Sequence, residues 1–328
     1  MRSFWVALLL ACAGSPPAQA QDVFTKRADV RGFIRDMSDR HSFVESELRF
    51  LFSRARRVES VLKAITPPKD PRQRSWRAYR ERFVNEARIG EGLAFWQRHE
   101  AALARAVQTH GVPEEIIVAI IGVETLYGRN AGSFRVIDAL ATLAFLYPPR
   151  ASYFRSELEQ YLLFAREAGL DVFSVKGSYA GAIGIPQFMP GSYRRYAVDF
   201  DGDGTVDLRA SAVDAVGSVA NFLGQHGWRR GEPVQLPARV EGDAHRAMLE
   251  AGIEPERFTL ASLREHGVET RSDLPGDTAV ALIDLPTPDA PTEYRLGLRN
   301  FYVLTRYNRS SFYAAAVHDL ARELKLRR

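Results

Sequence analysis

The chain has 328 residues, of which 46% are hydrophobic, 26% charged and 11% aromatic, enough apolar material for one large domain or two modest ones and the wrong balance for a disordered or fibrous protein. Lys and Arg number 44 against 40 Asp and Glu, a formal charge of +4 that is spread along the chain rather than gathered into a basic block, and it gives no support to a nucleic-acid partner. The single cysteine, Cys12, excludes a disulfide framework, a cysteine-ligated zinc site and an iron–sulfur cluster.

Arg2, the apolar run Phe4 to Ala13 and then Ala18-Gln19-Ala20 fit a signal peptide over residues 1–20, cleaved before Gln21. Ten apolar residues fall short of the ~20 needed to span a bilayer, so the segment predicts export, and no later stretch predicts a transmembrane span. The alternative is a lipoprotein signal ending at Leu9-Leu10-Ala11-Cys12, with Cys12 carrying the lipid. Without residues 1–20 the chain keeps 43 basic and 40 acidic side chains, a charge of +3.

Residues 21–112 form an N-terminal helical region. Apolar residues recur three and four apart from Val30 to Ile65, with Ser42 and Glu45 in capping-box spacing. Pro67-Pro68-Lys69-Asp70-Pro71 interrupts them. Ile89 to His110 reads as one long helix stopped by Gly111, and Pro113-Glu114-Glu115 opens the next, at the start of a core over 113–230. Helices are predicted over Tyr153 to Ala168 and Ala212 to Gln225. Residues 231–298 are richer in proline and carry strand-like runs at Ala279 to Ile283 and Tyr294 to Leu298, which marks a small mixed α/β insert. A last helix, Ser310 to Leu326, lies in the C-terminal segment 299–328.

The run Ile116-Ile117-Val118-Ala119-Ile120-Ile121-Gly122-Val123-Glu124 is apolar on every helical face and ends in one carboxylate. Burial disfavours the charged form and raises the pKa, which would keep Glu124 protonated near neutral pH and able to donate to a leaving oxygen. The plainer reading is a buried ion pair with a neighbour such as Arg129.

The segments IIVAIIGVETLYGRNAG, IDALATLAF, FSVKGSYAGAIGIPQFMPGSYRRYAVDFDGDG, GSVANFLGQHGW and NFYVLTRYNRSSFYAAAV, in that order, resemble the membrane-bound lytic murein transglycosylase B family, glycoside hydrolase family 103. The resemblance runs from about Val30 to Val317. It implies a mainly α fold, a goose-type-lysozyme-like helical catalytic core, and cleavage of peptidoglycan strands between N-acetylmuramic acid and N-acetylglucosamine with a 1,6-anhydro product. It also implies that Glu124 is the sole acid and base. No partner acid stands beside the motif, whereas an ordinary glycosidase uses two carboxyl groups. For substrate binding the resemblance implies Ser178, Gln187, Tyr307, Asn308 and, by segment and spacing, Tyr79. Some relatives carry paired arginines where this chain has Pro149-Arg150, so only Arg150 is carried over. No cofactor is needed for the chemistry, and other cell-wall enzymes are candidate partners.

Asp199-Phe200-Asp201-Gly202-Asp203-Gly204 matches the first half of an EF-hand loop, with oxygen ligands at positions 1, 3 and 5 and the turn glycine at 6. Thr205 would add a backbone carbonyl. Position 12 is Ala210, so the last oxygen is expected from Asp207 or Asp214, and the ion from a structural Ca2+. The chain shows no HExxH, GxSxG, phosphate-binding loop or dinucleotide fingerprint. His41, His99, His110 and His226 lack ligand spacing. The sequence thus predicts an exported, periplasmic lytic transglycosylase, against a hydrolytic muramidase and a non-catalytic peptidoglycan-binding or scaffold protein.

Overall fold

Every side chain from Ile116 to Val123 is buried, as the continuous apolar run requires. The computed structural model describes residues 23–66, 74–254 and 257–328 and divides into two units, residues 1–57 and 58–328. The leader 1–20 and Cys12 lie outside the described residues, as does Pro67 to Pro71.

In the first unit α1 (Ala28–His41) and α2 (Glu45–Arg54) bury one face each, and Phe33 meets Phe52 edge-on at 5.9 Å. The capping box expected at Ser42 is absent. Ser42 instead closes α1 in the left-handed region at φ 57°, its amide donating to Ser38 while that of Phe43 donates to Met37, and α2 begins after Val44.

The second unit opens with α3 (Glu59–Ile65), α4 (Trp76–Phe83), α5 (Glu86–Arg98), α6 (Glu100–His110) and α7 (Glu114–Thr125). The single helix read over 89–110 is two, broken at His99, whose φ of −118° and ψ of 23° leave the helical region. Periodicity does not change at the break; tertiary packing makes it, since α5 lies on α7 and the helix Ser311–Arg327 while α6 lies on α7 and the helix Ala212–Gln225. Gly111, at φ 74°, ends α6 as a helix C-terminus favours.

A short strand β1 (Phe134–Arg135) leads into α8 (Val136–Leu146), which pairs with α9 (Ala151–Glu167). The strand β2 (Lys176–Gly177) pairs with β1, and α10 (Pro190–Tyr196) and α11 (Ala212–Gln225) follow. The insert holds β3 (Gln235–Val240), α12 (Arg246–Glu250), β4 (Phe258–Thr259), β5 (Val268–Glu269), β6 (Ala279–Leu285) and β7 (Glu293–Gly297). Its five strands form an antiparallel sheet in the order β4-β6-β7-β3-β5 over a separate small core of Met248, Leu263, Val268, Val280, Leu282 and Leu296. The chain closes with α13 (Arg299–Tyr307) and α14 (Ser311–Arg327).

The insert is tied to α4 and α14. The Trp76 amide donates to the Pro286 carbonyl at 2.8 Å and its indole to Glu293 at 3.0 Å. Asp319 of α14, 4% exposed, accepts from Arg80 of α4 at 2.7 Å and from Arg295 of β7 at 2.6 and 3.0 Å. Two arginines hold the Asp319 carboxyl below its usual range despite burial. Among the described residues no single helix is long and apolar enough to cross a membrane.

Candidate active site

Glu124 sits in the last turn of α7, where unpaired carbonyls and the helix dipole already disfavour a negative charge. The residue keeps a partial opening to solvent, but its carboxyl lies deep among protein atoms, and the carboxyl's own surroundings set its titration. Burial pushes the pKa up to about 7, against the opposing hydrogen bond from Tyr313. The Tyr313 hydroxyl donates to Oε1 at 2.7 Å. The ion pair with Arg129 is not made, since that guanidinium reaches Glu91 at 2.6 Å.

The backbone turns sharply after the acid. Leu126 and Tyr127 both have positive φ, 51° and 60°, which costs free energy for residues with side chains unless their surroundings hold them. The Thr125 hydroxyl donates to the Ile185 carbonyl at 2.7 Å and accepts from the Gly128 amide at 2.9 Å. Tyr127 threads between α5 and α7, its hydroxyl donating to the Arg88 carbonyl at 3.0 Å. A Cβ on Gly92 or Gly122 would stand 2.3 or 2.5 Å from that hydroxyl, so both must be glycine for the ring to fit. Arg88 in turn donates to the carbonyl of Gly122, which also accepts from the Leu126 amide at 3.1 Å, and its guanidinium lies over Phe83.

The other expected residues gather to different degrees. Tyr307 is close enough to Glu124 for the carboxylate to oppose ionisation of its phenol. Its hydroxyl donates to the Pro186 carbonyl at 2.6 Å, and its ring stacks on Tyr313 at 6.3 Å and 12°. Tyr79 also feels Glu124; burial first and that charge second push its phenol up to about 12. Its ring belongs to an aromatic wall with Trp76, Phe83 and Phe312.

Ser178 and Gln187 lie on one tight loop, where the Ser178 amide donates to Ala182 and Ile183 bridges both Gly177 and Phe188. The Ser178 oxygen accepts from the Ala182 amide at 3.1 Å, which leaves its proton to donate. Gln187, at φ 54°, spends both amide protons on Ala131 and Gly184, at 3.1 and 2.8 Å, and keeps Oε1 as an acceptor. Three bonds, Thr125 to Ile185, Gln187 to Ala131 and Tyr307 to Pro186, fasten this loop to the segments around Glu124. Asn308 caps α13 in an extended conformation and is exposed. Arg150 is exposed too and lies over Tyr153 and Phe154, at 4.5 and 5.2 Å, with no hydrogen bond to the groups around Glu124.

The acidic loop brings ligand oxygens of Asp199, Asp201 and Asp203 within 4.8 Å of one another, and among the described residues no lysine or arginine pairs with them. Backbone amides, that of Gly204 foremost, hold the Asp199 carboxyl below its usual range, so like charges meet there and a hard cation with oxygen ligands suits the set. Asp214 lies beside this cluster of three acids rather than within it. It is buried, and its two oxygens accept from the amides of Phe200, Asp201 and Asp207 at 2.8, 3.3 and 2.8 Å, so it shapes the loop that carries the three acids. Thr205 lies in the loop with its amide on Asp203 at 2.7 Å.

Tyr313 was missed by sequence reasoning. A signal existed: it is a phenol opening an alanine-rich buried helix, and a buried hydroxyl needs a partner.

Residues 25–322 match the family model described as Transglycosylase SLT domain. The membrane-bound lytic murein transglycosylase B of Escherichia coli (strain K12) is 41% identical over 316 residues, 93% of this chain and 85% of that protein. Soluble lytic transglycosylase SltB1 from Pseudomonas aeruginosa is 47% identical with a TM-score of 0.83, covering 91% of this chain and 99% of that one. The Escherichia coli lytic transglycosylase Slt35 in complex with calcium is 40% identical with a TM-score of 0.81, covering 93% and 95%. An apolar helix that ends in one raised carboxyl is thus set in a chain that belongs to the family of membrane-bound lytic murein transglycosylase B.

Proposed function

We propose that the chain is a lytic transglycosylase of peptidoglycan in which Glu124 acts alone as acid and then base. The observation that carries this is the Glu124 carboxyl itself, raised to about 7 by burial and therefore about half protonated at neutral pH, where an ordinary carboxyl is almost wholly ionised. The groups that act on it are its burial and Tyr313, and no second carboxyl is among them. Glu124 gives its proton to the glycosidic oxygen as the C1–O bond breaks, releasing the N-acetylglucosamine 4-hydroxyl. The substrate's own N-acetyl oxygen stabilises the cationic C1, and the free Ser178 proton is suited to orient that acetamido group. The Glu124 carboxylate, held by the Tyr313 hydroxyl, then takes the proton from the muramoyl C6 hydroxyl as O6 closes onto C1. Tyr79, Tyr307, Gln187 and Asn308 supply rings and polar edges for the sugars, as pyranose binding needs.

The Asp199, Asp201 and Asp203 cluster suits a structural Ca2+, a reading favoured by the calcium complex of the Escherichia coli relative. The ion would brace the loop and takes no part in proton transfer. For location, the leader implies export to the periplasm; lipid attachment at Cys12 is the alternative, and the relative described as membrane-bound favours testing it by detergent partitioning of a Cys12→Ser variant.

The deciding experiment digests murein sacculi with the wild type and Glu124→Gln and identifies the glycan ends by mass spectrometry. Anhydromuramoyl ends from the wild type alone are expected. Reducing ends would make the enzyme a hydrolase, and no cleavage would make the protein a binding or scaffold protein.

A further inference from the structure

A cleft of about 670 Å³ opens where three helices end. To its lining α10 brings Arg195 and Tyr196, α11 brings Phe222 and, at its C-cap, His226, and α13 brings Arg306. Phe222 joins it to the catalytic site, with its ring 4.9 Å from Tyr307 on one side and 4.1 Å from His226 on the other.

The charges in the cleft are unevenly matched. Arg194 is held by Glu167 through two bonds of 2.9 and 2.7 Å. Glu157, the acid of the lining, accepts from the Gly191 amide at 2.8 Å. Among the described residues neither Arg195 nor Arg306 pairs with a carboxylate. Each rests over a tyrosine, Tyr196 and Tyr302 respectively, at 5.9 Å. Both line the cleft with His226, whose protonation burial first and then these two charges disfavour, so two guanidinium groups face one wall. A cation at a helix end is ordinary, because it offsets the partial negative charge there. Two unclaimed guanidiniums converging on a cleft beside a catalytic groove suit an anion with planar, bidentate geometry.

We propose that this cleft takes carboxylates of the stem peptide borne by N-acetylmuramic acid, with Arg195 and Arg306 as its specificity-determining residues, so that the enzyme favours peptide-bearing strands. The proposal rests on the transglycosylase reading above. Muramic acid is the one sugar of the strand that carries a peptide; its lactyl carboxyl is tied up in the amide to that peptide, so the anionic groups that repeat at each such sugar are the carboxylates of the stem.

The test compares Arg195→Gln, Arg306→Gln and the double variant with wild type on peptide-bearing strands and on strands stripped by an amidase, which keep only the lactyl carboxylate. The ratio of kcat/KM for bearing to stripped strands should fall roughly tenfold in the double variant, the scale of a lost charge-assisted hydrogen bond. An unchanged ratio overturns the proposal, whether or not overall turnover drops. Calorimetric binding of the free stem tetrapeptide to the Glu124→Gln protein gives a second readout that needs no turnover. Binding that weakens with salt and is lost with the two arginines supports the cleft, and equal binding without them overturns it. A wild type that cleaves neither strand defeats the transglycosylase reading instead, and the calorimetry still judges the cleft.

Discussion

The Tyr313 hydroxyl and the Glu124 carboxyl, 189 residues apart in sequence, meet at 2.7 Å. A phenol that donates to a carboxylate favours its charged form, so Tyr313 opposes the burial that raises Glu124 and stabilises the carboxylate left after protonation of the leaving oxygen. Replacing Tyr313 with Phe should lower kcat roughly ten- to hundredfold, since hydrogen bonds to charged groups contribute about 1.5–3 kcal/mol. The same variant should move the alkaline limb of the rate profile to higher pH. A limb that stays put or moves to lower pH would show that the bond does not act on the acid.

The wild-type profile follows from the Glu124 pKa of about 7. The first step needs the protonated acid, so kcat/KM should fall as pH rises through that value. Stability should show the same group. A carboxyl raised from 4.5 in the folded state contributes stability that is fully present below pH 4.5 and lost as pH rises through about 7. Glu124→Gln should therefore match the wild type in urea unfolding near pH 4 and exceed it by about 3 kcal/mol at pH 8. Equal stability at both pH values would mean that the carboxyl is solvated.

The turn after Glu124 depends on the slot for Tyr127. Alanine at Gly122 would place its Cβ 2.5 Å from the Tyr127 hydroxyl and 2.7 Å from Cζ, and at Gly92 2.3 Å from the hydroxyl and 2.6 Å from Leu324. Either change should destabilise by about 1–3 kcal/mol through overpacking and depress kcat, because Glu124 lies two residues beyond Gly122. Gly90, on the same helix as Gly92, is the control, with nothing within 4 Å of an added Cβ; Gly90→Ala should stabilise by about 0.5–1 kcal/mol. Chemical denaturation of the three variants, beside their rates, checks the contrast.

What the chain betrays in its sequence is local. Helix α11 runs from Ala212 to Gln225 as read, with Ser211 accepting from the Asp214 amide at its start, and the unbroken apolar run of α7 is enough to mark Glu124 as an anomaly. The break at His99 and the left-handed closure at Ser42 arise from which neighbours each helix finds, and no periodicity carries that. Tyr313 stands out only as a phenol in a buried alanine-rich run, and its partner is hidden for the same reason, since Glu124 comes from another helix. Asp214 has a part that spacing does not show: a loop this rich in glycine and aspartate needs its amides answered, and the buried carboxylate answers three of them.

Those two kinds of aspartate should separate in a calcium experiment. Saturating Ca2+ should raise the Tm of the wild type by a few degrees relative to a chelated sample, because a ligand at a hundred times its Kd adds about 2.7 kcal/mol to the folded state. Asp203→Asn removes a charge from an exposed cluster, so its chelated Tm should match the wild type while the calcium response shrinks. Asp214→Asn removes one of two buried accepting oxygens, so it should lower the chelated Tm by the equivalent of about 1–3 kcal/mol and also blunt the response, since the loop loses its shape. If Asp214→Asn instead behaved like Asp203→Asn, with its chelated Tm intact, Asp214 would be a ligand after all. Turnover of murein well below either Tm should be the same with and without chelator, because the proton moves between Glu124 and the substrate alone.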